Sequence, residues 1–153
     1  MGIAPTLQRY LDRHVSYDIV QHEPTMSSTR TAQACHISGN RLAKAVVMRQ
    51  DGGYMLAVLP ASRHIRLADL RAELGEDVDF AAEAEIAEVF KDCARGAVPP
   101  VGECYGLDWI VDDGLDDKGD VYLEAGDHAT LIRMSYPQFV KLTEYARHGR
   151  FSM

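Results

Sequence analysis

Asn40-Arg41-Leu42-Ala43-Lys44-Ala45-Val46-Val47-Met48-Arg49 is the stretch on which the reading of this chain turns. Side chains alternate faces along a strand, so Leu42, Lys44, Val46 and Met48 share one side and Ala43, Ala45 and Val47 the other. Both faces are apolar apart from Lys44, the pattern of a central strand with a cation among hydrophobes. An ammonium group in that setting is costly unless it reaches water or meets a fixed partner. The plainer alternative is an edge strand guarded by a lysine, a common device against aggregation.

Outward from this strand the signals are those of a mixed fold. Asp51-Gly52-Gly53 is a hairpin turn, and Tyr54-Met55-Leu56-Ala57-Val58-Leu59 returns antiparallel until Pro60. Upstream, Leu7, Tyr10, Leu11 and His14 recur at helical intervals within Thr6–Val15. A short strand over Tyr17–His22 ends at Glu23-Pro24, and Ser27 or Ser28 caps a helix through Ala34 or Cys35, closed near Gly39. Downstream, Leu67–Leu74 reads as a helix with Gly75 beyond its end, and Glu83–Phe90 as another with Ile86, Val89 and Phe90 as its buried stripe. Gly96-Ala97-Val98-Pro99-Pro100-Val101-Gly102 is a stiff loop bracketed by glycines. Trp109–Val111, Val121–Leu123 and Thr130–Met134 read as strands. Ser135-Tyr136-Pro137-Gln138 is a capping box opening a last helix to about Arg147. Helices and strands mixed with an obvious hairpin predict an α+β single domain, its mixed sheet flanked by helices.

The totals agree. The chain has 153 residues, 46% hydrophobic and 25% charged, which suits one globular domain with an adequate core. No run approaches the roughly 18 apolar residues of a membrane span. Met1-Gly2-Ile3-Ala4-Pro5 lacks the basic start and apolar run of a signal peptide, and Met1-Gly2 is a weak myristoylation signal with no second anchor. The expectation is a cytoplasmic protein. Cys35, Cys93 and Cys104 are odd in number and contain no C-x-x-C, which predicts reduced thiols. Net charge is −7, with three Lys/Arg against seventeen Asp/Glu over residues 72–127 and six against three over residues 1–50. A strongly basic chain would announce nucleic acid, and this one carries no signal for DNA.

The usual catalytic signatures are missing. There is no G-x-S-x-G elbow, P-loop or G-x-G-x-x-G. The acidic run Asp112-Asp113-Gly114-Leu115-Asp116-Asp117-Lys118-Gly119-Asp120 fails the spacing of a calcium loop and reads as a solvated turn. None of the six histidines is paired at H-x-x-x-H, so neither a metal nor a cofactor is expected. What remains is Lys44, the Gly96–Gly102 loop, and the glycine turn Glu124-Ala125-Gly126-Asp127-His128, with His22, Thr25, Thr29 and Thr31 from the strand–helix junction. Each has a plain structural reading as a cap or a turn. Together they resemble a pocket without a nucleophile.

In this order and spacing the pieces resemble the YbaK/ProX-like aminoacyl-tRNA deacylases, similar to the editing domain of bacterial prolyl-tRNA synthetase. The matching segments are His22-x-Pro24-Thr25 before a Thr/Ala-rich helix, the strand Ala43–Val47, the G-x-x-x-P loop Gly96–Pro100, and Val121–His128. The likeness spans about residues 18–142. It implies a curved, barrel-like form of the sheet, with an N-terminal helix over 1–16, a deacylase domain over 17–147 and a tail over 148–153. It also implies hydrolysis, without metal or covalent nucleophile, of the ester joining a wrong amino acid to a tRNA. On this reading Lys44, Gly96 and Pro100 are the catalytic set. Lys44 contacts the terminal nucleotide or the carbonyl, loop amides hold the oxyanion, and Pro100 fixes the loop. The substrate is lined by His22, Thr25, Thr29, Val98, Pro99, Gly102, Glu124, Gly126, Asp127 and His128.

Where members of the family commonly carry serine or asparagine before the glycine turn, this chain has Glu124. That carboxylate could favour a substrate amino group, act as a base, or face solvent, the last being the first expectation for an unpaired glutamate. The implied partner is mischarged tRNA, met through its terminal adenosine and aminoacyl group, with an aminoacyl-tRNA synthetase as a possible deliverer. Two other readings stay open: a non-catalytic module sensing aminoacyl groups or small amino acids while docking a partner protein, and a hydrolase of small esters.

Overall fold

The computed structural model describes residues 2–25, 27–115 and 119–153. Its centre is the strand singled out above. Strand β2 (Leu42–Gln50) pairs from Ala43 to Gln50 with β3 (Gly53–Pro60) through the Gly52 turn, where φ is +82°. Its other edge is shared by two partners. Strand β6 (Val121–Glu124) runs parallel to it at Leu42 and Ala43, and the short β4 (Asp79–Phe80) antiparallel at Met48 and Arg49. The edge-strand alternative for Lys44 is therefore replaced by a central position.

From β6 the sheet continues antiparallel through β7 (Thr130–Met134) to β1 (Asp18–Gln21). From β3 it continues parallel through β5 (Asp108–Asp112) to β8 (Arg147–Gly149). The eight strands thus form a mixed sheet in an α+β fold, as expected. Its path ends at β1 and β8, so hydrogen bonds do not close it into a barrel among the described residues.

Alternation along β2 divides the interior. Ala43 and Val47 enter the main core, which also takes Leu7 and Leu11 of α1 (Pro5–His14) and Phe139 and Leu142 of α5 (Tyr136–Leu142). On the opposite face Leu42 packs with Ala32 of α2 (Ser28–Ala34), and Met48 with Leu70 and Leu74 of α3 (Leu67–Leu74). Lys44 lies on that face between the two smaller clusters. Ser27 caps α2 through the Arg30 amide at 3.2 Å, and Gly75 ends α3 at φ +69°. Helix α2 turns away through His36 (φ 55°) rather than Gly39.

Several expectations change. The last helix stops at Leu142 instead of Arg147, and the Ser135 side chain makes no capping bond. The free edge of β5 draws Arg147–Gly149 into β8, so the expected tail from residue 148 is tied into the fold. Asp112 fastens it, accepting from the amides of Gly114 (2.8 Å) and Phe151 (3.0 Å) and from the Ser152 hydroxyl (2.8 Å). The acidic run therefore starts with a structural carboxylate, and its members Asp116, Asp117 and Lys118 lie outside the described residues. In α4 (Glu83–Val89) the expected stripe is only partly buried, Ile86 and Val89 remaining half-exposed. No helix among the described residues is long and apolar enough to cross a membrane.

Candidate functional site

Two features meet beside β2. The first is a cavity of about 590 Å³, walled by Ala45, Val46 and Val47 of β2, Phe80 and Ala81 around β4, Ile86 and Phe90 of the α4 segment, and Cys93 to Gly96 with Val98. The half-exposure of Ile86 has its reason here, since it faces this space, whereas Phe90 lines the cavity from within the main core.

The second feature is a polar knot formed where the glycine turn after β6 meets the loop before Gly96. The Ala94 amide donates to the Gly126 carbonyl at 2.6 Å, and His128 Nε2 donates to the Arg95 carbonyl. A Cβ on Gly126 would lie 3.0 Å from that of Ala4 and 3.3 Å from Cys93 Sγ, and φ there is +115°, so close approach and conformation both demand glycine. His22 and Thr25 join from the other side. The amide of His22 donates to the Ala129 carbonyl at 2.9 Å, and that of Thr25 to the His128 carbonyl at 3.1 Å. Strand pairing of β6, β7 and β1 brings these distant residues together.

Within the knot, Glu124 does not look out to bulk water. It is half-buried, and burial raises its carboxyl above the usual carboxylate range. Amides of Gly126 (3.4 Å) and Ala125 (3.2 Å) and the nearby His128 and His22 oppose that shift without cancelling it. His22 Nδ1 donates to the Glu23 carbonyl at 2.7 Å, and its Nε2 is buried with no hydrogen-bond partner among the described residues. Asp127 is occupied in holding the turn, accepting from the Ala129 amide and the Thr130 hydroxyl, both at 2.9 Å. The Thr25 hydroxyl meets that of Thr31, which in turn donates to the Ser27 carbonyl, so Thr25 anchors α2. Thr29 is exposed on α2 and is not drawn into the knot.

The glycine-bracketed loop divides. Gly96 (φ +80°) and Val98 line the cavity, whereas Pro99 and Pro100 are buried behind it. The Ala97 amide is occupied by the Ala94 carbonyl. The amides of Gly96 and Val98 have no partner among the described residues, and the prolines have none to offer. Gly102 serves packing: a Cβ there would sit 2.6 Å from Trp109 Cγ and 2.8 Å from the Leu107 carbonyl. A Cβ on Gly96 would lie 3.6 Å from His128 Cε1, which places the loop and the knot in contact.

Lys44 is half-buried on the sheet face opposite Ala45 and Val47 and does not line the cavity. Burial depresses its pKa below the usual lysine value. Its ammonium has one long contact, 3.5 Å to the Ala61 carbonyl, and no carboxylate at ion-pair distance among the described residues. The register Leu42↔Tyr122, Ala43↔Leu123 sets Lys44 and Glu124 on the same face at the point where β2 and β6 part.

Reading the sequence missed Cys93. It lines the cavity, and burial pushes its thiol up to about 12, so it is protonated near neutrality. Phe80 and the main chain of Ala45 and Val47 were missed as well. Their only trace in sequence is a short apolar segment after an acidic one. Among the described residues no three His, Cys, Asp or Glu side chains converge in a way that could hold a metal ion.

Three solved structures are alike over nearly their whole length. A "putative trans-editing enzyme for prolyl tRNA synthetase" is 22% identical with a TM-score of 0.84, covering 98% of this chain and 96% of that one. The hypothetical protein APE2540 is 20% identical with a TM-score of 0.82, covering 97% and 99%. A scaffold protein from work on computational epitope grafting is 21% identical with a TM-score of 0.84, covering 98% and 97%. At these identities the likeness speaks for the fold. No protein of curated function matches the sequence. The sequence matches the aminoacyl-tRNA editing domain over residues 22–142, from the orphaned histidine of the knot to the end of α5, and the chain belongs to that family.

Proposed function

We propose that this protein is an aminoacyl-tRNA deacylase acting in trans in the cytoplasm, hydrolysing the ester of mischarged tRNA without a metal or covalent nucleophile. The observation that carries the reading is the loop at Gly96 and Val98: two amides without a partner among the described residues, on residues that line a cavity, in a loop tied to His128 through the Arg95 carbonyl. An activated ester needs little more than orientation, a water and donors for the developing oxyanion. Gly96 gives the loop its left-handed turn, and buried Pro99 and Pro100 hold it from behind. Cys93 is the one thiol on the cavity wall, and its protonated state suits a wall rather than a nucleophile.

Lys44 supplies a point charge with free donors to the substrate's carbonyl or terminal phosphate. Glu124 and His22 line the approach to the aminoacyl group. The whole described chain serves as one unit, because α1 packs in the main core and the amide of Ala4, just before it, donates to the Ala125 carbonyl at 2.8 Å. tRNA arrives free or handed over by a synthetase.

The test is deacylation of tRNAs mischarged with alanine, serine, cysteine and proline, at enzyme far below substrate, with Lys44→Ala as control. Release well above the uncatalysed rate on at least one of them supports the reading. Binding without release would return the sensing module, and equal rates on a tRNA-free aminoacyl ester would return a small-ester hydrolase.

A further inference from the structure

The open stretch of β2 between its two partners offers hydrogen bonds that no described residue uses. The Leu42 carbonyl accepts from Ala61 at 2.8 Å, so even-numbered residues of β2 direct their main chain toward β3. The Arg41 carbonyl accepts from Tyr122 at 2.9 Å and the Val47 carbonyl from Ala81 at 3.1 Å, so odd-numbered residues address the other edge. The unbroken register with β3 from Ala43 to Gln50 excludes a bulge that would change this parity. On that edge β6 stops at Ala43 and β4 starts at Met48. The N–H and C=O of Ala45 and the N–H of Val47 therefore point into the gap, and none has a partner among the described residues. The cavity lies against this gap, with Ala45, Val46 and Val47 in its wall.

Sheltered main-chain groups are normally paired, so a row of three in a cavity is a recognition edge. From Ala43 to Val47 the gap is about 13 Å long at the rise of a strand, and β6 and β4 block both ends. An added peptide strand would collide with them, while one planar group fits. The walls are Phe90 and Phe80, the latter 48% exposed at the mouth and suited to stacking. Lys91 and Arg95 stand at the rim.

We propose that this edge reads the terminal adenine of the substrate, the exocyclic N6–H donating to the Ala45 carbonyl and N1 accepting from the Val47 amide. The inference rests on the deacylase reading for its substrate, and it adds the base-recognition element. Guanine, hypoxanthine and uracil present the reverse order, a carbonyl facing a carbonyl and an N–H facing an N–H. Cytosine presents the same order as adenine on a smaller ring, which leaves the aromatic walls to tell them apart. With the base seated there, the Gly96–Val98 amides share its cavity and Lys44 is the adjoining residue of the strand.

The test uses the full chain and two probes, adenosine and inosine 5′-monophosphate, followed by backbone amide NMR. The expected result is saturable shifts at Ala45 and Val47 with adenosine monophosphate and at least roughly tenfold weaker binding of inosine monophosphate. Phe80→Ala should weaken the adenine nucleotide while leaving the amide pattern of the sheet in place. Equal affinity for the two nucleotides, or shifts confined to another face, would overturn the proposal. A second arm compares deacylation of mischarged tRNA ending in adenosine with the same tRNA ending in inosine. Equal rates on both would sink base reading while leaving the deacylase standing. Selective adenine binding with no deacylation of any tRNA would support base reading and remove the deacylase.

Discussion

The two glycines that bracket the stiff loop should fail in opposite ways when each is replaced by alanine. At Gly102 a Cβ would press within 2.6 Å of the Trp109 ring and 2.8 Å of the Leu107 carbonyl, neither of which can swing aside. Overpacking of this kind costs about 1–3 kcal/mol. For a chain of this length that is a fall in unfolding midpoint of roughly 2–12 °C. Catalysis measured well below the midpoint should stay near wild type, because Gly102 does not line the cavity. At Gly96 the space is open, with His128 at an ordinary 3.6 Å, and the penalty is the left-handed backbone at φ +80°. That costs about 1–2 kcal/mol, or a small shift of the loop to escape it. A shift moves the Gly96 and Val98 amides, and losing one oxyanion donor costs roughly 100-fold or more in turnover. Thermal unfolding and deacylation of mischarged tRNA, measured on both variants, give the answer. Gly96→Ala at full activity, or Gly102→Ala with an unchanged midpoint, would refute this division of the loop.

Other consequences are open to direct measurement. Lys44→Ala should lose deacylation by roughly 100-fold or more while circular dichroism and midpoint hold, since the amine has one long contact and its removal relieves a desolvated charge. Glu124 is raised in the folded state, so its share of stability is present below its unfolded value of 4.5 and lost as pH rises through the folded value. Glu124→Gln should accordingly be more stable relative to wild type at pH 7 than at pH 4 in urea titrations, and a constant difference would contradict the burial of the carboxyl. Asp112→Ala should lower stability by about 3 kcal/mol, because three donors in the Gly114 and Phe151–Ser152 segments lose a buried carboxylate. Release of β8 in hydrogen exchange would accompany it.

What could be read from sequence is what neighbours in sequence decide. The stripe Leu7-Tyr10-Leu11-His14, the Gly52 turn, the Gly75 cap and the apolar run around Lys44 each encode their element within one or two turns of chain. They suffice for an α+β fold, whereas the central place of β2 was decided by its partners on both edges. The order of the matching segments added the expected pocket residues. The expectations that changed are those where the outcome depended on who pairs with whom. Residues 147–149 carry a helix-compatible sequence, yet the vacant edge of β5 makes them a strand, and a propensity of a few tenths of a kcal/mol does not withstand a ladder of hydrogen bonds. Glu124 looks like a surface residue until β7, β1 and the Cys93 loop close around it. Gly96 and Gly102 look alike until Trp109 is found against one and a cavity against the other.

Sequence by itself determined the kinds of element, because periodicity, turns and caps are short-range effects, while it left the lysine strand open between an edge and a central place. Only the tertiary structure decided that β6 and β4 share one edge of β2 and leave three main-chain groups facing a cavity between them. Backbone N–H and C=O are identical at every residue, so a gap in their pairing leaves no mark on the side chains that a sequence records.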